Sequence, residues 1–327
     1  MRSVFLAWIN FQRRIESMQY FFGYEIAYLR DTGNPASGRL PRYWRLMRRT
    51  LALLSSSKPD LLWVQLPPNF IPHIIELHRL VFRGKYRVVY DCHNATFQAP
   101  WNKIPFAVWA INRADAVFVH NQEMLDAAAR YGIDRDRLHV LEDQAPVFDS
   151  ALTPARIENC TAFFVMPCSF HDDEPIEAVF AAAAECPDYK FMLTGNRDRA
   201  EKKGFVAKAP ENVVFTGFLD TADFNCLVLG ATGILCLTTK EGIQLSAASE
   251  ALAAGRPLIL SDTAILRTLF GGASVVVDNT PASLVAAFHE IADNAPHYAE
   301  QSMQLYKERR GAWETKALPI RDARRLA

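Results

Sequence analysis

The sequence predicts an α/β protein with two doubly wound, parallel-sheet domains, and three observations support this fold class. The chain has 327 residues, more than one core ordinarily holds, and half of them are hydrophobic. Short apolar runs alternate with longer amphipathic stretches, which is the pattern of strand, crossover helix and parallel strand. This alternation stops after Gln144-Ala145-Pro146 and then resumes.

The elements follow from that alternation in chain order. In the first half, strands are predicted over residues 4–8, 61–65, 87–90, 116–120 and 138–141, and helices over 11–22, 42–54, 71–82, 105–113 and 122–131. In the second half, strands are predicted over 162–166, 190–193, 213–215, 234–237, 258–260 and 274–277, and helices over 175–184, 221–229, 247–254, 264–269, 282–294 and 297–311. We therefore expect domains at residues 1–146 and 147–300, with a helical segment, 301–327, that packs back on the first domain.

Charge and cysteine usage restrict the function classes. The 36 basic residues equal the 36 acidic residues, which argues against a nucleic-acid protein that works by bulk charge. Residues 1–90 nevertheless carry fourteen basic and five acidic side chains, which indicates either an anionic partner, a phosphate-bearing acceptor or a membrane surface, or a solvated basic face.

The six cysteines are scattered without a CxxC pair, so we expect a reduced, cytoplasmic protein without a zinc site. No apolar run is long enough for a spanning helix, which predicts a soluble or peripheral protein. A DxD match at Asp134-Arg135-Asp136 lies in a helix-to-strand connection, and we predict no metal there.

The stretch KEGIQLSAASEALAAGRPLILSD, residues 240–262, predicts a binding loop between a strand and a helix. Ser246 is a plausible N-cap, and Gly255 and Pro257 end the helix. Backbone N–H groups at such a helix start can hold a diphosphate. Two acids flank the loop, and a carboxylate can accept two hydrogen bonds from vicinal sugar hydroxyls. Glu250 would suit a ribose and Glu241 a hexose, although the helix dipole alone also favours an acid in a first turn.

Polar side chains also follow strands of the first domain. Asp91, His93 and Asn94 in YDCHNATF cluster at a carboxyl edge, where a packed structural histidine is the alternative interpretation. The run of Asn10, Gln12, Arg13 and Arg14 would suit an anionic or hydroxyl-rich acceptor, or a solvated helix start.

Two further loops of the second domain are candidates for phosphate contact. CSFHDDEP, which contains Ser169, has the position of a phosphate-facing turn but lacks its glycines and carries three consecutive acids. Arg197 follows the next strand and would meet a phosphate.

The helix predicted over residues 42–54 is basic and aromatic. Arg42, Arg45 and Arg49 lie on one side, and Trp44 lies with the apolar residues on another. This pattern is typical of a helix on an anionic membrane surface, and also of a helix that buries its apolar stripe against its own sheet.

These residues resemble those of GT-B glycosyltransferases, the retaining family-four group of bacterial surface-polysaccharide synthesis. The resemblance covers nearly the whole chain. It is carried by VVYDCHNATF, RADAVFVHN, PENVVFTGFL and EGIQLSAASEALAAGRPLILSD. It implies two facing Rossmann-like domains, with a nucleotide sugar, a UDP- or GDP-sugar, held mainly on the second and a glycan or lipid-linked acceptor on the first.

The resemblance also implies roles for residues. Glu250 corresponds to the acid that binds the ribose, Glu241 to the acid near the donor sugar, and His93, beside Asp91, to the histidine that reaches the donor sugar. The loop of Gly242, Ile243, Gln244, Leu245 and Ser246 corresponds to the diphosphate cradle, and Gly217 and Phe218 to the loop near the base. The implied reaction is hexosyl transfer with retention, without a cofactor or metal, at the inner membrane face.

Two departures from the family pattern stand out. Eight residues separate the two acids, where the family has seven. CSFHDDEP replaces the family's basic pair beside the diphosphate, so Arg197, Lys202 or Lys240 would have to supply the charge. A GT-B sugar-nucleotide 2-epimerase and a non-catalytic partner of another transferase therefore remain alternatives.

Overall fold

The computed structural model describes residues 1–31, 33 and 38–322 of the chain. They form two compact units, one of Met1–Gln144 together with the chain from Trp313 onward, and one of Ala145–Ala312. Each unit contains a six-stranded sheet in which every strand pair is parallel. The predicted α/β fold with two parallel-sheet domains is confirmed.

The first unit contains six strands and all fourteen basic side chains of residues 1–90. Its elements are β1 (Ser3–Ala7), α1 (Arg13–Phe22), β2 (Glu25–Tyr28), α2 (Arg39–Ser57), β3 (Leu61–Leu66), α3 (Ile71–Phe82), β4 (Arg87–Cys92), α4 (Ala107–Ile111), β5 (Ala116–Val119), α5 (Gln122–Tyr131) and β6 (Leu138–Val140). The strand order is β2-β1-β3-β4-β5-β6.

Two apolar clusters cover the two faces of this sheet. Helices α2, α3, α4 and α5 pack on one face through residues such as Leu46, Ile75 and Ile111. Helix α1 packs on the other face with Trp63, Trp313 and Ala317. Successive side chains of each buried strand point to opposite faces of the sheet, so each strand contributes apolar residues to both clusters, as in other doubly wound sheets.

The second unit repeats the architecture. Its elements are β7 (Ala162–Pro167), α6 (Ile176–Ala184), β8 (Tyr189–Thr194), α7 (Arg197–Lys202), α8 (Phe205–Lys208), β9 (Val213–Gly217), α9 (Thr221–Gly230), β10 (Gly233–Cys236), α10 (Ser246–Ala253), β11 (Leu258–Ser261), α11 (Ala264–Phe270), β12 (Ser274–Val277) and the first part of α12 (Pro281–Asp322), which from Trp313 onward belongs to the first unit. The strand order is β12-β11-β10-β7-β8-β9.

Several predicted elements differ from the observed ones. Strand β2 and helices α7 and α8 were not predicted, because they are short and β2 is a partly exposed edge strand with little apolar signal. The two helices predicted over 282–294 and 297–311 are one element, α12, with a non-helical residue at Asn294. Pro296 follows two residues later, and proline removes a helical hydrogen bond, which explains a distortion at this point.

Candidate functional site

The loop after β10 is fixed at its base by neighbouring strand ends. The Thr238 N–H donates to Ser261 Oγ at 2.8 Å, and Thr238 Oγ1 donates to Asp173 Oδ2 at 2.9 Å. Asn279 Nδ2 donates to the Thr238 carbonyl at 3.1 Å. Ser261 ends β11 and Asn279 follows β12, so the carboxyl ends of adjacent strands hold the start of the loop. This is the edge at which open parallel sheets bind ligands.

Helix α10 begins one position earlier than predicted, at residue 246 instead of 247. Ser246 is its first helical residue, Leu245 holds the capping position, and no side chain caps the helix, so the predicted N-cap role of Ser246 is wrong. The preceding Gly242 has a φ of 75°, a conformation that glycine adopts without strain. The eight-residue helix still presents its positive end toward the loop from 242 to 246, where an anion is stabilised.

The two glutamates have different surroundings. Glu250 lies in the second turn of α10, not the first, and it is 8% exposed. Burial, together with the Glu250 carboxylate, raises the pKa of the Cys236 thiol at the end of β10. Glu241 is exposed, and its Oε2 accepts the Ala264 N–H at 3.1 Å at the start of α11. Glu250 is thus a carboxylate held within the fold, whereas Glu241 lies on the surface of the loop.

The three consecutive acids of CSFHDDEP are engaged within the second unit. Asp172 pairs with Lys203, and this hydrogen bond lowers the pKa of the carboxyl. Glu174 Oε1 accepts the N–H and the hydroxyl of Ser169 at 2.8 and 2.7 Å. Asp173 accepts from Thr238, as described above. The acids therefore organise the loop, and Ser169 is held by one of them.

The basic candidates of this unit lie in distinct places. Arg197 pairs with Glu201 at 3.1 Å on the exposed side of α7. Lys240 Nζ lies 3.6 Å from Asp173 Oδ1 and is largely exposed. Arg199 was not predicted as a site residue, and its Nη1 donates to the Ser169 carbonyl at 2.8 Å. No sequence signal separated it from Arg197, because the unpredicted helix α7 decides which of the two points to the loop.

The ends of β8 and β9 approach each other closely. Gly217 ends β9 with a φ of 74°, and its carbonyl accepts the Gly195 N–H at 3.0 Å. A Cβ at residue 195 would lie 2.0 Å from the Cys168 carbonyl oxygen, so glycine is required there. Phe218, next to Gly217, is 80% exposed and offers an aromatic face at this edge.

In the first unit, a buried ion pair lies at the carboxyl edge of the sheet. Asp91, in β4, is fully buried, and Arg14, the second residue of α1, is 4% exposed. Arg14 Nε donates to both Asp91 oxygens at 3.0 and 3.1 Å. Its Nη1 donates to Asp143 Oδ1 and its Nη2 to the Leu141 carbonyl, both at 2.8 Å. The Arg14 guanidinium therefore forms hydrogen bonds inside the first unit and is not exposed to solvent.

Two histidines lie beside this ion pair. His93 Nε2 is 3.7 Å from Asp91 Oδ2 and 3.4 Å from Gln12 Nε2. His120 Nδ1 is 3.6 Å from Asp143 Oδ1. The two imidazole rings are 4.4 Å apart, with their planes at 74°. His120 and Asp143 were not among the predicted site residues. His120 lies in the run RADAVFVHN and Asp143 follows the next strand, and only the fold brings them to the same edge.

The charges of this cluster are set by burial and by Arg14. Burial raises the pKa of Asp91, but the charges of Arg14 and the two histidines outweigh it, so the pKa is lowered. Burial lowers the pKa of His93 and lowers that of His120 to about 4. At neutral pH the cluster therefore combines a fixed carboxylate with two neutral imidazoles.

Asp91, His93 and His120 also bring three potential metal-ligand atoms within 4.8 Å of one another, the one such group in the described residues. Both oxygens of Asp91 already accept bonds from Arg14, and the guanidinium charge there opposes a divalent cation. The donor set thus suits a proton-handling or hydroxyl-binding group better than a metal centre.

The remaining candidates of the first unit lie nearer its surface. Asn10 is exposed and its carbonyl accepts from Arg30 Nη2 at 3.0 Å, while the Arg13 guanidinium lies 5.5 Å from the Phe11 ring. On α2, Arg42 and Arg49 are exposed and Trp44 is 60% exposed.

Arg45 does not extend freely from α2, since it forms two hydrogen bonds of 2.9 Å with Asp31. Trp44 does not join the buried stripe of this helix, which consists of Leu46, Thr50, Leu54 and Ser57. Among the described parts of the chain, every helix is too short or too polar to cross a membrane.

Two protein-family models match the sequence, one in each unit. Residues 12–142 match Glycosyltransferase Family 4, and residues 173–294 match Glycosyl transferases group 1. The sequence has no significant match among curated proteins.

Solved structures of low sequence identity share the fold. Anabaena Alr3699/HepE in complex with UDP and glucose is 14% identical, with a TM-score of 0.67 over 98% of this chain and 99% of that chain. A glycosyltransferase from Rickettsia africae is 12% identical, with a TM-score of 0.59 over 98% of both chains. A putative UDP-N-acetylglucosamine 2-epimerase from Listeria monocytogenes is 13% identical, with a TM-score of 0.58 over 92% and 90%.

The two family matches together span most of the chain, and both sheets have the parallel, doubly wound form of the similar structures. The chain belongs to the GT-B glycosyltransferases of the family 4 type.

Proposed function

We propose that this glycosyltransferase moves a hexosyl group from a UDP- or GDP-sugar to a saccharide or lipid-linked acceptor, with retention, in polysaccharide or glycoconjugate synthesis. The observation that carries the proposal is Glu250, a carboxylate 8% exposed, behind a loop fixed at the carboxyl edge of a parallel sheet. The similar fold of HepE, solved with UDP and glucose, supports a nucleotide-sugar donor.

We assign the donor to the second unit. Glu250 accepts hydrogen bonds from the ribose hydroxyls, and Phe218 offers a face to the base. The loop from Gly242 to Ser246 and the start of α10 hold the diphosphate. Glu241 uses Oε2 for the Ala264 N–H, and we assign its Oε1 to a hydroxyl of the donor hexose.

The cations of this unit offset the charge of the departing diphosphate. Lys240 is exposed beside the loop and is the nearest candidate in sequence, and Arg197 must leave Glu201 to contribute. Donors and cations aimed at developing negative charge are worth several kcal/mol in such reactions. The leaving phosphate then takes the proton of the acceptor hydroxyl, so no metal or further cofactor enters the proposed reaction.

We assign the acceptor to the first unit. His93 is neutral at neutral pH because burial lowers its pKa, so it can bind a hydroxyl as donor or acceptor. Gln12 Nε2 lies 3.4 Å and Asp91 Oδ2 3.7 Å from His93 Nε2, and Asn10 and Arg13 lie near the surface of the first unit. Exposed Arg42, Trp44 and Arg49 of α2 would place this unit on an anionic membrane at the cytoplasmic face.

The proposal is tested by a transfer assay. Purified protein is incubated with a panel of radiolabelled UDP- and GDP-sugars and a lipid extract, and the anomeric configuration of the product is read by NMR. We expect transfer with retention, and Glu250→Ala should lower kcat/KM at least about tenfold, because a buried charged acceptor is lost. Glu300→Ala, on an exposed turn of α12, is the matched control and should leave kcat/KM unchanged.

Other outcomes contradict the proposal. Inversion at C2 of the donor sugar without any acceptor would identify a 2-epimerase, an activity for which the Listeria protein is a structural neighbour. Absence of turnover, together with co-purification with an active transferase, would identify a non-catalytic partner. An inverted anomer would refute retention.

A further inference from the structure

Helix α3 is apolar on two sides. Its inward residues Ile71, Ile74 and Ile75 are buried in the core of the first unit. Its outward residues Leu77, Leu80 and Val81 follow the i, i+3, i+4 spacing of a helical stripe, and they are 44%, 81% and 59% exposed. A second apolar stripe that faces outward is not explained by packing within the unit.

Helix α4 extends this stripe into a larger surface. Phe106, just before α4, is 78% exposed and Trp109 is 54% exposed. His73 Nε2 contacts the Pro105 carbonyl at 2.9 Å, which joins α3 to the start of α4. A hollow of about 500 Å³ between the two helices is lined by Leu77, Leu80 and Trp109 together with charged residues. We call these outward residues of the two helices the α3–α4 surface.

The charge around the α3–α4 surface is positive. Arg83 and Lys85 follow α3 and are exposed, and Arg113 lies over the Trp109 ring at 5.4 Å. The acid of the hollow, Glu76, is buried and accepts from Arg79 at 2.9 Å and from Arg113 at 2.6 Å. Asp115 lies 3.9 Å from Arg79 at the edge. The acids are thus internally paired, and two exposed basic residues are left at the rim.

The apolar residues and the basic rim of the α3–α4 surface favour some binding partners over others. A second copy of this chain would bring the same basic rim against it, which is unfavourable. An anionic bilayer offers hydrocarbon to the apolar residues and phosphates to the basic ones. Tryptophan and phenylalanine between apolar and charged groups are typical of residues at a membrane interface.

We propose that the α3–α4 surface binds an anionic lipid bilayer, with Leu80, Phe106 and Trp109 inserted at the headgroup boundary and Arg83 and Lys85 against the lipid phosphates. Helices α2, α3 and α4 cover the same face of the sheet, so this surface extends the one described for α2. The proposed function supplies only the reason for membrane binding, which is access to a lipid-linked acceptor. Binding to the bilayer does not require the donor.

The test is co-sedimentation of the full chain with vesicles of phosphatidylglycerol and of phosphatidylcholine, without nucleotide. The wild type should sediment with the anionic vesicles and not with the neutral ones, and added salt should release it. Leu80→Glu and Phe106→Glu should each lower the apparent affinity for anionic vesicles at least about tenfold, because an inserted apolar side chain is replaced by a charge. Val147→Glu, at a position 49% exposed in the second unit, is the matched control and should not change vesicle binding.

Circular dichroism and thermal unfolding verify that each variant is folded. Because the vesicle assay contains no nucleotide, its outcome does not depend on the donor site. The proposal is overturned if the wild type does not sediment with anionic vesicles, or if it binds neutral vesicles equally well. Unchanged binding in both Leu80→Glu and Phe106→Glu also overturns it. Concentration-dependent dimers that these substitutions abolish, without vesicle binding, would assign the surface to a second copy of the chain.

Discussion

At the scale of residues, the Arg14–Asp91 ion pair is a buried feature whose contribution to the stability of the first unit can be measured. Asp91→Asn leaves the buried Arg14 guanidinium with Asp143 as its remaining carboxylate partner. Removal of one partner of a buried ion pair costs about 3 kcal/mol or more, and we expect that loss in urea unfolding of this variant.

Asp60→Asn is the control for this prediction. Asp60 is exposed and accepts the Arg2 N–H at 2.6 Å, so its loss should cost less than about 1 kcal/mol. Equal stability of the two variants would contradict the role assigned to Arg14.

His120 should make stability fall in mild acid. Burial lowers its pKa from the ordinary 6.5 to about 4, so between these two values the unfolded state binds a proton that the folded state does not. Stability is therefore lost as pH falls through this window, by about 2 kcal/mol from neutral pH to about pH 5. His93, whose pKa is also lowered by burial, adds in the same direction.

Unfolding free energies measured across this pH range check the prediction. His120→Gln should flatten the dependence, whereas His297→Gln, on the exposed side of α12, should leave it as in the wild type. An unchanged slope in His120→Gln would show that His120 is not the group responsible.

The candidate residues could be predicted only where a local pattern marks them. Glu250 and His93 lie in recognisable runs, EGIQLSAASEALAAGRPLILSD and VVYDCHNATF, and the sequence marks both as candidates. Arg14 is buried and Arg13 is not, because Arg14 lies on the side of α1 that faces the sheet. There it pairs with Asp91 and Asp143, which are distant in sequence. These partners are more than seventy residues apart in sequence, and a single sequence does not reveal which distant residues pair.

At the scale of elements, the turns at the strand ends determine the shape of the carboxyl edge of the second sheet. Gly195 and Gly217 both have positive φ, yet a Cβ would meet the Cys168 carbonyl at 2.0 Å from residue 195 and meets no described atom within 4 Å at residue 217. Gly195→Ala should therefore destabilise the second unit by about 3 kcal/mol, whereas Gly217→Ala should cost about 1 kcal/mol from backbone strain alone.

Chemical unfolding of the two glycine variants measures this difference. Gly195 has a φ of 125° and Gly217 a φ of 74°, so the excess in Gly195→Ala reports the close approach of the two loops together with the larger backbone strain at residue 195. Equal losses would contradict the contact between the 168–175 loop and the end of β8.

Element boundaries were less predictable than element types. The run SAASEALAA predicts a helix, but Ser246 is its first residue instead of its N-cap. Glu250 is consequently the fifth helical residue instead of the fourth. Strand β2 pairs with the edge of the sheet through backbone bonds to β1, so its four residues need little apolar character of their own. Local propensity cannot reveal a strand that its neighbour stabilises.

At the scale of the whole molecule, the alternation of strand and helix was sufficient to predict two parallel sheets. Parallel strands require long crossovers, and the second series of elements after Pro146 cannot join the first sheet without breaking the alternation. Sequence matches in each unit and full-length similarity to HepE agree with that architecture. The sugar and the acceptor, in contrast, depend on a few side chains placed by long-range contacts, which no periodicity reveals.

The central claim is that the second unit binds a nucleotide sugar through Glu250. Isothermal titration of the full chain with UDP and with GDP tests it most directly. We predict binding at one site by one of these nucleotides, at least about tenfold weaker in Glu250→Gln and unchanged in Glu300→Gln. Equal affinity in the wild type and Glu250→Gln, or no binding of either nucleotide, would contradict the account.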